Sequence, residues 1–320
     1  MQRRTLLLAA IATSFAAFAQ PNKMWRIGFL GTLSREAWAG PVDAIRAGLR
    51  ERGYTEGKNL HIEYRWAEGR YERLPSLAQE LLRSNIDLLM SHGSPGSRAA
   101  KQATTSVPVV LVAGNLTTMG IVSNLARPGG NLTGITFFGV EMVRKRLELL
   151  REAMPKAKRL GVVLNPGNPI QPAIREALEE TARSLNVALT VIELRDASSV
   201  DSVFEPALAD RFEGVVIDDD AMLRSASKAI GAAAKRRRLP LVGPSEFVDD
   251  DAVICYDVDL LDMYRRSAGL VDRIFKGAKP GELPVEQAAK FELIANPRAA
   301  RQLGISLPSA LLVRADRVID

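Results

Sequence analysis

The residues of this 320-residue chain that could do chemistry stand singly and gather where apolar runs end. Gly31-Thr32-Leu33-Ser34, His92-Gly93-Ser94-Pro95 and Gly114-Asn115-Leu116 close three such runs in the first half. Asn165-Pro166-Gly167, Asp218-Asp219-Asp220 and Tyr256-Asp257 close three more in the second. Hydroxyls, amides and a few carboxylates of this kind hold a solute by hydrogen bonds and ion pairs. Ser94 and Ser97 precede or open a helical stretch, whose free backbone N–H groups can receive an anion such as a carboxylate. Plain helix capping is the alternative use of the same serines. Asp220 is placed either to pair with a ligand ammonium or to cap the helix that follows it. The candidate ligand-binding set is therefore Leu33, Ser34, Ser94, Pro95, Asn115, Leu116, Asn165, Asp220 and Tyr256.

Motifs for covalent or cofactor chemistry are missing, so the expectation is no enzyme, no cofactor and no metal. Gly28-Phe29-Leu30-Gly31 lacks the third glycine and the spacing of a dinucleotide loop, and no GxxxxGK[ST] loop occurs. There is no G-x-S-x-G elbow, and a serine triad would have to recruit His61 or His92, the only histidines. His92 follows an apolar run and could touch a ligand or serve as a hydrogen-bonded structural residue. The triple aspartate lacks the spaced oxygen ligands of a calcium loop. Cys255, the single cysteine, lies in an apolar run and reads as a small buried residue; no intramolecular disulfide can form.

The elements that must position the strand-end residues alternate regularly. Residues 26–30 read as a buried strand, followed by a helix with Val42, Ile45 and Leu49 on one face. Residues 60–66 alternate in period two, 74–82 return to helical spacing, and 86–91, 97–105 and 107–113 read as strand, helix and strand. Pro128 with Gly129-Gly130 punctuates the chain, and the cycle restarts at 132–137. Helix at 140–154, strand at 159–164, helix at 171–185 and strand at 188–194 follow, then a helix carrying Val200, Val203 and Leu208. Strand 215–217, helix 222–238 and strands at 241–242 and 253–256 complete the second half. This βαβα order implies an α/β fold of two doubly wound, mainly parallel-sheet lobes. A further helix at 260–276, a Gly/Pro-rich segment at 277–284 and a strand near 291–294 exceed what either lobe needs. They suggest that the chain crosses back to the first lobe and returns, making a multi-crossing hinge. The expected lobes are residues 20–136 with about 258–283, and 137–257 with about 284–320. In open α/β sheets, ligands sit beyond the carboxyl ends of the strands, where the candidate residues lie.

Composition and the first residues restrict where the protein works. Arg3 and Arg4, a short apolar run and Ala17-Phe18-Ala19 have the form of a secretory signal peptide over residues 1–19, cleaved near Gln20. Sec and twin-arginine export both remain open. No cysteine follows the apolar run to accept a lipid, so the expected location is free in the periplasm, without stable membrane insertion. The formal charge of +6 falls to +4 once Arg3 and Arg4 leave. So modest an excess argues against nucleic acid, and Lys235-Arg236-Arg237-Arg238 reads as cations at the carbonyl end of a helix.

Several stretches together resemble the extracytoplasmic substrate-binding proteins of ABC transporters, in the type-1 periplasmic binding fold, and among them the branch that includes aromatic amino-acid binders. The matching stretches are 48–54, 57–60, 62–66, 125–134, 264–266 through 271–274, 276–280, 283–285, 290–293 and 311–320, with Leu125-Ala126-Arg127-Pro128-Gly129-Gly130-Asn131-Leu132-Thr133-Gly134 the most specific. The resemblance implies capture of a small-molecule ligand between two hinged lobes and delivery to an ABC permease in the inner membrane. It implies no chemistry on the ligand, and it places Ser94 in the first wall with Asp220 and Tyr256 in the second. The chain departs from relatives that carry an Asp-Pro pair where Asn115-Leu116 stands and a glycine where Asp257 stands. An amino acid or related carboxylate is the expected ligand. An exported sensor or scavenger of the same fold, or a transferase-type enzyme, are the alternatives.

Overall fold

Uninterrupted apolar runs such as Val109–Gly114 can be buried only if both faces of their sheet are covered, and helices cover them here. The computed structural model describes residues 23–205 and 212–320. The proposed signal peptide and Leu208 lie outside the described residues. In the first lobe, β1 (Trp25–Gly31), β2 (Leu60–Trp66), β3 (Leu88–His92), β4 (Val109–Gly114) and β5 (Leu132–Phe137) run parallel. Every residue of β3, β4 and β5 is buried. The second sheet holds β6 (Arg159–Leu164), β7 (Ala188–Glu193), β8 (Val215–Ile217), β9 (Leu241–Gly243) and β10 (Ile254–Val258), all parallel.

The last stretch of chain serves both lobes. The helix Leu260–Phe275 returns to the first, where Met263, Ala268 and Val271 share a core with Ile27, Phe29 and Leu49. It packs on the helix Ala39–Arg50 so closely that a Cβ on Gly48 would lie 2.3 Å from the Arg265 carbonyl oxygen. The turn at Gly129-Gly130, with φ of 77° and 59°, then receives the segment after that helix. Gly129 N–H donates to Gly281 O (3.1 Å), Val285 N–H to Leu125 O (2.7 Å) and the Thr133 hydroxyl to Leu283 O (2.9 Å). The specific block at 125–134 is thus the socket for a returning chain.

That return ends later than the sequence places it. β11 (Glu286–Gln287) pairs with Ile135 and Thr136, giving the first sheet the order β11-β5-β4-β3-β1-β2. The second crossing therefore follows Gln287 and does not start at 284, because the chain finds one more free sheet edge beyond its Gly/Pro turn. β12 (Phe291–Ala295) then joins the second sheet antiparallel to β10, and β13 (Arg317–Val318) closes the order β13-β12-β10-β9-β8-β6-β7. Two helices differ from their sequence reading. The one after β3 starts at Gly93, whose φ of 64° lets strand turn directly into helix. The expected single helix at 222–238 is two, Ala221–Ser225 and Ser227–Arg236.

Candidate functional site

The carboxyl ends of both sheets open on one cleft between the lobes. Of the residues expected from the sequence, Ser94, Pro95, Asn115 and Asp220 line it. Leu33, Ser34, Leu116, Asn165 and Tyr256 do not line it. Leu33 and Leu116 are apolar and turn inward to the first-lobe cores. Ser34 accepts from Ala37 N–H at 3.2 Å, and Asn165 lies behind Asp220, donating to its Oδ1 at 3.0 Å. Tyr256 falls short of the cleft because β10 runs on to Val258, and its ring stacks on Phe291.

In the first lobe, β3 ends at His92 and the helix Gly93–Ala103 begins at once. No side chain caps its N-terminus, so first-turn N–H groups beside Ser94 are open to a ligand anion. The Ser97 hydroxyl in the same turn is buried and has no partner. His92 is buried, and burial pushes its imidazole down to about 3, so the ring is neutral. Thr32 N–H donates to His92 Nε2 at 3.1 Å, leaving the ring proton on Nδ1. Trp38 stacks on His92 at 4.2 Å with 12° between planes, and Tyr264 meets both rings edge-on. These three rings line the first-lobe side of the cleft. Asn115 holds a left-handed backbone (φ 56°). With its amide oriented by hydrogen bonding, its side-chain oxygen accepts from Gly139 N–H (3.2 Å) and Val140 N–H (3.0 Å), capping the helix Gly139–Ala153 across the first crossing.

The second lobe supplies an acidic wall. Asp218 is buried and its carboxyl is raised to about 7, by burial first and the neighbouring Asp219 charge second. Gln171 Nε2 donates to its Oδ2 at 3.1 Å, and its Oδ1 has no partner. Asp219 Oδ1 accepts from Arg224 Nε at 2.7 Å, and its Oδ2 likewise has no partner. Arg224 is the cation of this wall, but its guanidinium is already engaged. It pairs bidentately with Asp257 (2.7 and 2.8 Å) and reaches Glu246 at 2.5 Å. Burial alone would raise the Asp257 carboxyl, but the Arg224 charge outweighs it and holds the group at about 2. Arg146, fully buried, stands 3.6 Å from the same carboxylate and donates to Tyr256 O and Ile217 O. Asp220 is raised by burial, and its oxygens accept from Asn165, Asn168, Tyr71 and the N–H groups of Met222 and Leu223.

Trp38, Arg224 and Tyr264 escaped the sequence reading. Arg224 carried a signal, since a cation one turn past three successive acids has a partner close at hand, and that partner is Asp219. Trp38, between a strand end and a helix, carried none beyond its loop position. Among the described residues no helix is long and apolar enough to cross a membrane.

Comparison with known proteins accords with this geometry. A tyrosine-binding protein of Clostridioides difficile (strain R20291) is 24% identical over 264 residues, which cover 82% of this chain and 76% of that one. The crystal structure of a conserved domain protein from Vibrio cholerae O1 biovar El Tor superposes with a TM-score of 0.86 at 28% identity, covering 92% of this chain and 100% of that one. A Streptococcus pneumoniae ABC domain in complex with L-Trp superposes with a TM-score of 0.84 at 20% identity, covering 92% and 99%. The two-lobed arrangement is that of the type-1 periplasmic binding proteins. The family model for ABC transporter substrate binding proteins matches residues 26–319, and the chain belongs to that family.

Proposed function

We propose that this protein is the exported substrate-binding component of an ABC importer, which captures an amino acid or related small carboxylate between its lobes and delivers it to an inner-membrane permease. Residues 1–19 act as the signal peptide and the mature protein is free in the periplasm. One observation carries the ligand class: unpartnered carboxylate oxygens on Asp218 and Asp219 share a cleft with an uncapped helix N-terminus at Ser94. The first pair suits an ammonium, and the second suits a carboxylate. With the Asp220 oxygens already filled by protein donors, its part in the site is to shape the acidic wall, while Asp218 and Asp219 meet the cation. Ser94, Pro95 and Asn115 form the opposite wall, and the Trp38 and Tyr264 rings flank the solute. The tyrosine-binding relative and the L-Trp complex support an amino acid.

A thermal-shift screen of amino acids, organic acids and amides, followed by calorimetry, tests this. Linkage to the native state predicts a rise in melting temperature with zwitterionic amino acids, growing with concentration. Silence across all three classes would refute the reading. Mass spectrometry of exported protein should find an N-terminus near Gln20.

A further inference from the structure

We propose that Tyr71 and Asp220 form a latch that holds the lobes together without ligand, so that Tyr71 sets affinity without touching the solute. Tyr71 belongs to the first lobe, following β2 at the start of the turn Tyr71–Arg73. Asp220 belongs to the second, just past β8. The Tyr71 hydroxyl donates to the carboxylate, 3.1 Å from both Oδ1 and Oδ2, and accepts from Met222 N–H at 3.2 Å. Its ring packs against apolar cores of both lobes and lies 3.8 Å from where a Cβ on Gly167 would stand. Tyr71 is not among the residues that line the cleft.

The acceptor is held ready for this one partner. Asn165 Nδ2 (3.0 Å), Asn168 Nδ2 (3.1 Å) and Met222 N–H (2.9 Å) fix the Asp220 carboxylate from within the second lobe. A hydroxyl arriving from the first lobe meets a preorganised anion, the arrangement that makes a hydrogen bond strong. Burial, and then the Asp220 charge, push the Tyr71 phenol well above its ordinary value, so it remains a donor. Separating the lobes breaks this contact and leaves both groups to water, so closure has a driving term that exists before any solute arrives. The ligand-free protein therefore samples the closed arrangement, and a bound solute leaves more slowly than its own contacts dictate.

The proposal rests on the reading that the lobes close around a solute, but its main test needs no ligand. Tyr71→Phe keeps the ring and removes only the hydroxyl. The expected result is a larger radius of gyration in small-angle X-ray scattering of the ligand-free protein. For any solute found to bind, dissociation should quicken about tenfold, with the rank order of solutes unchanged. Asp220→Asn keeps a side-chain carbonyl for the helix N–H groups and should shift scattering the same way, which guards against an effect peculiar to the ring. An unchanged radius of gyration in Tyr71→Phe overturns the latch. So does an altered rank order, which would mean that Tyr71 touches the solute. If no solute binds the unmodified protein, the proposed function fails while the scattering comparison still decides the latch.

Discussion

Replacing Asp218 by Asn should make the empty protein more stable and a worse binder, and the gain should depend on pH. The Asp218 carboxyl is held at about 7 in the fold, against an ordinary 3.8, because burial and then Asp219 oppose its charge. In the unfolded chain it releases its proton near 3.8, while the folded protein retains it to about 7. The folded state thus binds more protons between these values, and stability falls as pH rises through that window, then levels off. The gap, at about 1.36 kcal/mol per pH unit, is about 4 kcal/mol of destabilisation at pH 8 and none below pH 4. Asn has the same shape and can still accept from Gln171 Nε2, so it should recover most of that energy. At about 2–4 °C per kcal/mol, the melting temperature at pH 8 should rise on the order of 10 °C. The assay is denaturant and thermal unfolding of both proteins at pH 4, 6 and 8 without ligand. A difference independent of pH, or a variant less stable at pH 8, would refute the reasoning.

Three further outcomes follow from the same geometry. Asp257→Asn leaves Arg224 and Arg146 buried with one carboxylate fewer, which should cost about 3 kcal/mol in urea unfolding at pH 7. Because Asp257 is held at about 2, its contribution is full above 3.8 and fades as pH falls through about 2, so variant and parent should converge in strong acid. Gly48→Ala puts a methyl group 2.3 Å from the Arg265 carbonyl oxygen, and separating those helices should cost about 1–3 kcal/mol, read by the same method. Binding of an amino acid near pH 6 should release a proton, since the ammonium pairs with ionised Asp218; calorimetry in buffers of different ionisation enthalpy should give heats that differ.

What the sequence disclosed follows from where apolar pattern is strong. β1, β3, β4 and β5 are read directly because buried parallel strands are dominated by apolar and β-branched residues. β11 is two residues, Glu286 and Gln287, with no pattern at all; it exists because the β5 edge is there to be paired. The break at Ala226 is equally silent, since neither glycine nor proline marks it. For the site, strand ends led to Ser94, Pro95, Asn115 and Asp220, all of which lie within three residues of the end of a strand. The same rule led to Leu33 and Leu116, whose apolar side chains are drawn into the core. Arg224 and Tyr264 come from inside helices, and only the packing of those helices decides which face meets the cleft. Tyr71 could not be paired with Asp220 from sequence, 149 positions apart, because only the meeting of the two lobes joins them.

The electrostatics of the cleft connect these separate features to its proposed work. A guanidinium ringed by Asp219, Glu246 and Asp257 has little left to offer a ligand carboxylate, so the second lobe is an acidic wall despite Arg224. The complementary charge lies across the cleft, where the uncapped helix at Gly93 presents the positive end of its dipole. A solute with one positive and one negative end can satisfy both walls only by touching both lobes. A dianion is repelled by the second wall, and a plain amine leaves the first unsatisfied. Burying the Asp218 charge with Gln171 as its one donor and Oδ1 unpartnered destabilises the empty site, and an arriving ammonium relieves that penalty most where water is excluded. Under the proposed function, ligand class and closure therefore depend on the same two orphaned oxygens: the solute that neutralises them is the one that would draw the lobes together.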